Sequence, residues 1–115
     1  MRRRLTLLLA CFALLCANSA LAKEWTLLVY IAADNDLAPY GVIDINEMEM
    51  IGSTDEVDII VQFDGSKKYS PSVSGSARFH IQKDPSMSMK ITSPIVEDLG
   101  EVNMGKKKTF KKFIK

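Results

Sequence analysis

Long apolar runs alternate with short polar breaks along this chain, and their lengths and spacings predict its elements. Residues Trp25 to Ala33 read Trp-Thr-Leu-Leu-Val-Tyr-Ile-Ala-Ala, the β-branched and aromatic composition of a strand buried on both faces. The run stops at Asp34-Asn35-Asp36, residues suited to capping a helix, in which Pro39 sits in the first turn and Val42, Ile45, Met48 and Ile51 recur at roughly helical spacing. Gly52 is placed to end that helix. A second mostly apolar run, Val57 to Phe63, closes in Asp64-Gly65. Strand, helix and strand in that order predict parallel pairing through a right-handed crossover, half of a doubly wound α/β sheet. Ser66 to Ser76 has the Ser, Gly, Lys and Pro content of a loop, Arg78 to Gln82 alternates as a short strand would, and Asp84 to Pro94 is irregular. A last helix is predicted to begin after Gly105.

The N-terminal pattern is of another kind. Arg2, Arg3 and Arg4 precede an apolar run from Leu5 to Ala17 and then Ala20-Leu21-Ala22, which predicts a signal peptide over residues 1–22 and an exported chain, periplasmic or extracellular, starting at Lys23. Both cysteines, Cys11 and Cys16, fall inside that leader. The expected mature chain, 23–115, therefore has neither a disulfide nor a thiolate nucleophile, and its stability rests on an ordinary core.

Charge divides the mature chain in two. Residues 23–105 hold 6 Lys or Arg against 14 Asp or Glu, a formal charge of −8, and the last ten residues add Lys106, Lys107, Lys108, Lys111, Lys112 and Lys115. With Phe110, Phe113 and Ile114 spaced i, i+3, i+4, the tail reads as a helix with one buried stripe and a solvated lysine face. On that reading no nucleic-acid partner is expected, nor any membrane partner once the leader is removed.

Four blocks, in order, resemble the opening of the clostripain family of cysteine peptidases. They are Glu24-Trp25-Thr26-Leu27-Leu28-Val29-Tyr30-Ile31-Ala32-Ala33-Asp34-Asn35-Asp36-Leu37, Asp44-Ile45-Asn46-Glu47-Met48-Glu49, Val61-Gln62-Phe63-Asp64 and Asp98-Leu99-Gly100-Glu101-Val102-Asn103-Met104-Gly105. The resemblance spans nearly all of 23–115 but only the N-terminal portion of such an enzyme. It implies a partial three-layer caspase-like α/β fold with an incomplete second helix layer, and in the whole enzyme a histidine and cysteine dyad that cleaves peptides after basic residues. Neither dyad residue has a counterpart here, so no catalytic residue is carried over and the chain alone is expected to be inactive. The missing C-terminal part of the same peptidase is the partner this implies. Where the family places an acid and a proline after Gly105, this chain has Lys106-Lys107-Lys108. Lysines oppose the dipole at a helix start, so Thr109 is the expected cap. A lysine tract just before Lys115 also fits a frame change in adenine-rich DNA.

Other candidate chemistry is sparse. His80, the single histidine, alternates with apolar neighbours and reads as a structural strand residue. Ligands of open parallel sheets collect beyond the carboxyl ends of the strands, which makes Asp34, Asn35, Asp36 and Asp64 the cleft-side candidates. They would shape a substrate groove or, as the resemblance allows, hold calcium, although no cofactor is required and no calcium-loop register is present. Helix capping is the plainer use of the same residues. Two other classes compete with the peptidase reading. One is a secreted, non-enzymatic binding domain. The other is an aspartyl-nucleophile phosphatase using Asp34, Asp36 and magnesium, which lacks the hydroxyl residue expected where Phe63 leads into Asp64.

Overall fold

The computed structural model describes residues 22–70 and 72–115. All but the last residue of the expected leader lies outside them. Along the chain run β1 (Trp25–Ala33), α1 (Ala38–Ile51), β2 (Val57–Gly65), β3 (Gly75–His80), β4 (Ile95–Gly100) and α2 (Lys107–Phe113). The strands form one mixed sheet in the order β1-β2-β3-β4. As the strand, helix, strand pattern predicts, β1 and β2 are parallel, paired from Trp25 with Val57 to Ala33 with Gly65. The fold is α/β, with a helix on each face of the sheet and the second helix layer only partly filled.

The sheet does not continue as a doubly wound one. After β2 the chain turns back, so β3 pairs antiparallel with β2 and β4 antiparallel with β3. Two strand boundaries also depart from expectation. β3 lies at Gly75–His80 rather than 78–82, and Ile95–Gly100 is a strand that the patterning did not reveal. Two register shifts break the β3–β4 ladder, which blurs the period-2 signal such a strand would otherwise carry.

Odd-numbered strand positions build the core beneath α1. Ile59, Val61, Phe63, Ala77, Phe79 and Ile81 are all buried there with Ala38, Val42 and Ile45 of the helix. Gly41 lets the helix approach closely: a Cβ at that position would stand 2.7 Å from the Phe63 ring. The buried stripe of α1 runs through Val42, Ile45, Asn46 and Glu49, leaving Met48 half-buried and Ile51 exposed, so the stripe drifts off the expected Met48 and Ile51.

Both helix starts differ from expectation. The N-cap of α1 is Leu37, without a side-chain cap; Asn35 acts one step earlier, its Oδ1 accepting from the Leu37 amide at 2.8 Å. At the other helix Lys106 is the N-cap, and the Thr109 hydroxyl donates to the Asn103 carbonyl at 2.8 Å instead of capping. Gly52 ends α1 as expected, with φ at +71° where a side chain would be strained.

Glu49 is fully buried and ties the irregular 82–94 segment to the helix. One carboxylate oxygen accepts from the amides of Thr92 and Ser93 and from the Ser93 hydroxyl, at 2.9, 2.7 and 2.6 Å. Its backbone carbonyl accepts from the Asp84 amide.

Strand β1 is the free edge beside β2. Its first half is exposed on both faces, with Trp25, Leu27 and Leu28 at 71, 51 and 41% of full exposure. The expectation that Trp25 to Ala33 is covered on both faces thus fails, because β1 lacks a second neighbour among the described residues.

Candidate functional site

Even-numbered strand positions face the other way, toward α2, and β2 and β3 fill that face with paired polar groups. Ser76 donates to Asp64 at 2.6 Å, Arg78 Nε donates to Gln62 Oε1 at 2.8 Å, and His80 Nε2 lies 2.9 Å from Asp58 Oδ1. Alternation along a strand puts residues i and i+2 on one face, so Asp58, Gln62 and Asp64 share it while Ile59, Val61 and Phe63 pack beneath α1.

Above the carboxyl ends of β1 and β2 this polar face opens into a cleft of about 450 Å³. Asp34, Asn35 and Asp64 line it from the strand ends, and Glu101 to Gly105 form the opposite wall. Three of the four residues expected on the cleft side are therefore brought together. Asp36 does not line the cleft; it is exposed in the turn before α1.

Asp64 is nearly buried at the cleft floor. Desolvation raises its pKa above its ordinary value, the Ser76 hydrogen bond partly opposes that rise, and the negative charge of Asp34 adds to it. Tyr30 shows the same logic. Burial, then the charge of Asp64, raises its pKa against the lowering effect of Arg78, and its neutral hydroxyl donates to the Met104 carbonyl at 2.9 Å.

The 101–105 wall is held from the sheet. Met104 is buried, with its carbonyl accepting from Tyr30 and its sulfur accepting from Gln62 Nε2 at 2.9 Å. Gln62 is held in turn by Arg78, whose Nη2 donates to the Lys112 carbonyl at 3.2 Å near the end of α2. Arg78 also pairs with Glu97 and stands 5.5 Å from the Phe113 ring centroid. Tyr30 meets Phe110 edge-on at 5.3 Å and Phe113 at 5.5 Å. Gln62, Arg78 and Met104 were not among the candidates; the alternation Asp58, Gln62, Asp64 within an apolar run is a signal for Gln62, and no comparable local pattern marks Arg78 or Met104.

What this arrangement can do is orient polar groups around an open cleft. The described residues contain no cysteine. His80 pairs with Asp58 and lies level with Ile60, four positions and about 13 Å along the sheet from Asp64. Among the described residues no group of three or more Asp, Glu, His or Cys converges as metal ligands would. Asp34, Asp64 and Glu101 thus border the cleft without forming the compact oxygen set that calcium requires.

Comparison with known proteins places this geometry. No family model matches the chain, and no curated protein matches it. Among solved structures, the chain is similar to a B. fragilis cysteine protease, with a TM-score of 0.58 and 27% sequence identity over 81% of this chain and 74% of that one. The chain thus shares its α/β fold with a cysteine protease.

Proposed function

We propose that this chain is the N-terminal portion of a secreted, clostripain-like cysteine endopeptidase that cleaves after basic residues, and that it has no peptidase activity by itself. One observation carries the reading: over 81% of its length the chain shares its fold, at 27% sequence identity, with a cysteine protease, while Cys11 and Cys16 fall in the expected leader and His80 is engaged by Asp58. In this reading the chain supplies the first layers of the domain and one wall of the cleft, and a complementary part supplies nucleophile and base. A cysteine nucleophile and its histidine base must stand within hydrogen-bond reach of each other, and the described residues contain one histidine and no cysteine.

The free edge of β1 is where the complementary part would add. An unpaired parallel edge offers a row of backbone donors and acceptors, and exposed Trp25, Leu27 and Leu28 border it. Burial of these side chains would contribute about 1.5 to 3 kcal/mol for each one fully covered.

The reading is tested first on the coding DNA from Gly105 onward in all three frames. A frame encoding a histidine-bearing and then a cysteine-bearing strand supports it, and the absence of such a frame there and elsewhere in the locus removes the partner it needs. In parallel, the purified chain is expected to leave peptides ending in Arg or Lys intact. Hydrolysis that thiol reagents abolish would overturn the assignment of inactivity.

A further inference from the structure

The lysines of α2 form a surface that the peptidase reading does not use. Lys107, Lys108, Lys111, Lys112 and Lys115 line a single open concavity on one side of the helix. None has a carboxylate within 4 Å; the ion pairs among the described residues are Arg78 with Glu97 and His80 with Asp58. The first turn carries no acid to offset Lys107 and Lys108, an arrangement that opposes the helix dipole.

We propose that this lysine face docks the exported protein on an anionic phospholipid surface. Three observations select that partner over other polyanions. The cations are all lysine, compact point charges without the planar fork by which arginine reads individual phosphates or carboxylates, so the face suits a diffuse field of charge. Phe113 is buried against Tyr30 and Arg78 and Phe110 meets Tyr30 edge-on, which leaves one half-exposed ring and no series of rings on which successive nucleic-acid bases stack. Phe110 and Ile114 nevertheless keep 45 and 51% of their exposure beside the lysines, which supplies an apolar contact at the headgroup boundary. Clusters of four to eight lysines on an amphipathic helix bind anionic lipid by this combination. The charge of −8 on residues 23–105 is repelled by the same surface, so the lysine face is the side that approaches it.

The test compares the full chain with the variant K107Q/K108Q/K111Q/K112Q/K115Q by sedimentation with vesicles. One set is phosphatidylcholine alone and the other contains phosphatidylglycerol, each at low and high salt. Both proteins carry the same N-terminal Arg2 to Ala17 segment, so its own affinity for lipid cancels in the comparison. The wild-type chain is expected to bind the anionic vesicles at least about tenfold more tightly than the variant at low salt, with the difference lost at high salt. Matching thermal melts for the two proteins exclude unfolding as the cause. Equal binding by wild type and variant, or an equal difference on neutral vesicles, would overturn the proposal. So would a lysine-dependent affinity for polyglutamate or single-stranded DNA that exceeds the affinity for anionic vesicles.

Discussion

The two faces of the sheet are built from the same strands and have opposite characters. Beneath α1 the odd-numbered residues are dry and apolar, with Val61 and Phe63 fully buried and Phe79 nearly so. Beneath α2 the even-numbered residues of β2 and β3, Ile60 apart, are polar and held in cross-strand pairs, Asp64 with Ser76, Gln62 with Arg78, and Asp58 with His80. One face supplies the burial that drives folding, and the other positions the cleft wall through hydrogen bonds. Substitutions on the first face should therefore act on global stability, and those on the second should act locally.

The largest expected effect is on the α1 face. Phe63→Ala empties a fully buried site against Gly41 and Ile31, and about 3 to 5 kcal/mol of stability should be lost. Chemical denaturation would show this as a lower midpoint; an unchanged midpoint would mean that the core does not depend on this ring. Next is Glu49→Ala, which leaves the Thr92 and Ser93 amides without their acceptor. A cost of about 2 to 3 kcal/mol is expected, with amide exchange accelerated most at Thr92 and Ser93. If exchange rose uniformly instead, Glu49 would belong to the global core rather than to a local clamp.

How much of this contrast was legible in the sequence varied with the kind of signal. β1, α1 and β2 stand out because long apolar runs and a helical stripe are strong local patterns, and their order already implied parallel pairing. The polar face was equally present in the letters, since Val57-Asp58-Ile59-Ile60-Val61-Gln62-Phe63-Asp64 alternates at three of its four even positions. The density of apolar residues masked that period. Exposure of β1 and the turn to antiparallel pairing at β3 were not legible, because edge position and strand order depend on contacts far along the chain. Asp34, Asn35 and Asp64 were placed by the general rule about strand ends. Met104 and the 101–105 wall required knowing that α2 folds back over Tyr30 and Gln62.

A smaller effect is expected where the polar face meets α2. Arg78→Met keeps much of the contact with Phe113 but removes the bonds to Gln62, Glu97 and the Lys112 carbonyl. Because the pair with Glu97 is partly exposed, screening reduces its worth, and about 1 kcal/mol of global stability should be lost. The sharper readout is regional. Exchange across 107–113 and at Met104 should accelerate while the amides beneath α1 stay protected; loss of protection at Phe63 and Phe79 would mean that the two faces are not separable.

The smallest effect is also the one whose sign distinguishes the faces most directly. Asp64 is a buried carboxylate whose folded-state pKa lies above its ordinary value, through desolvation first and the nearby Asp34 charge, with Ser76 acting in the opposite direction. The folded chain therefore holds the Asp64 proton more tightly than the unfolded chain does, and the ionised group weakens the fold above its raised pKa. Asp64→Asn retains an acceptor for the Ser76 hydroxyl and removes the charge, so the variant should be the more stable at neutral pH. As pH falls through the raised value toward the ordinary carboxylate range, wild-type Asp64 becomes neutral and the gap should close. Denaturation midpoints of both proteins across that window measure the gap directly, with most effects of the other carboxylates cancelling. A gap that widens on acidification would mean that Asp64 is stabilised as an anion, and the cleft floor would then be a compensated site rather than a desolvated one.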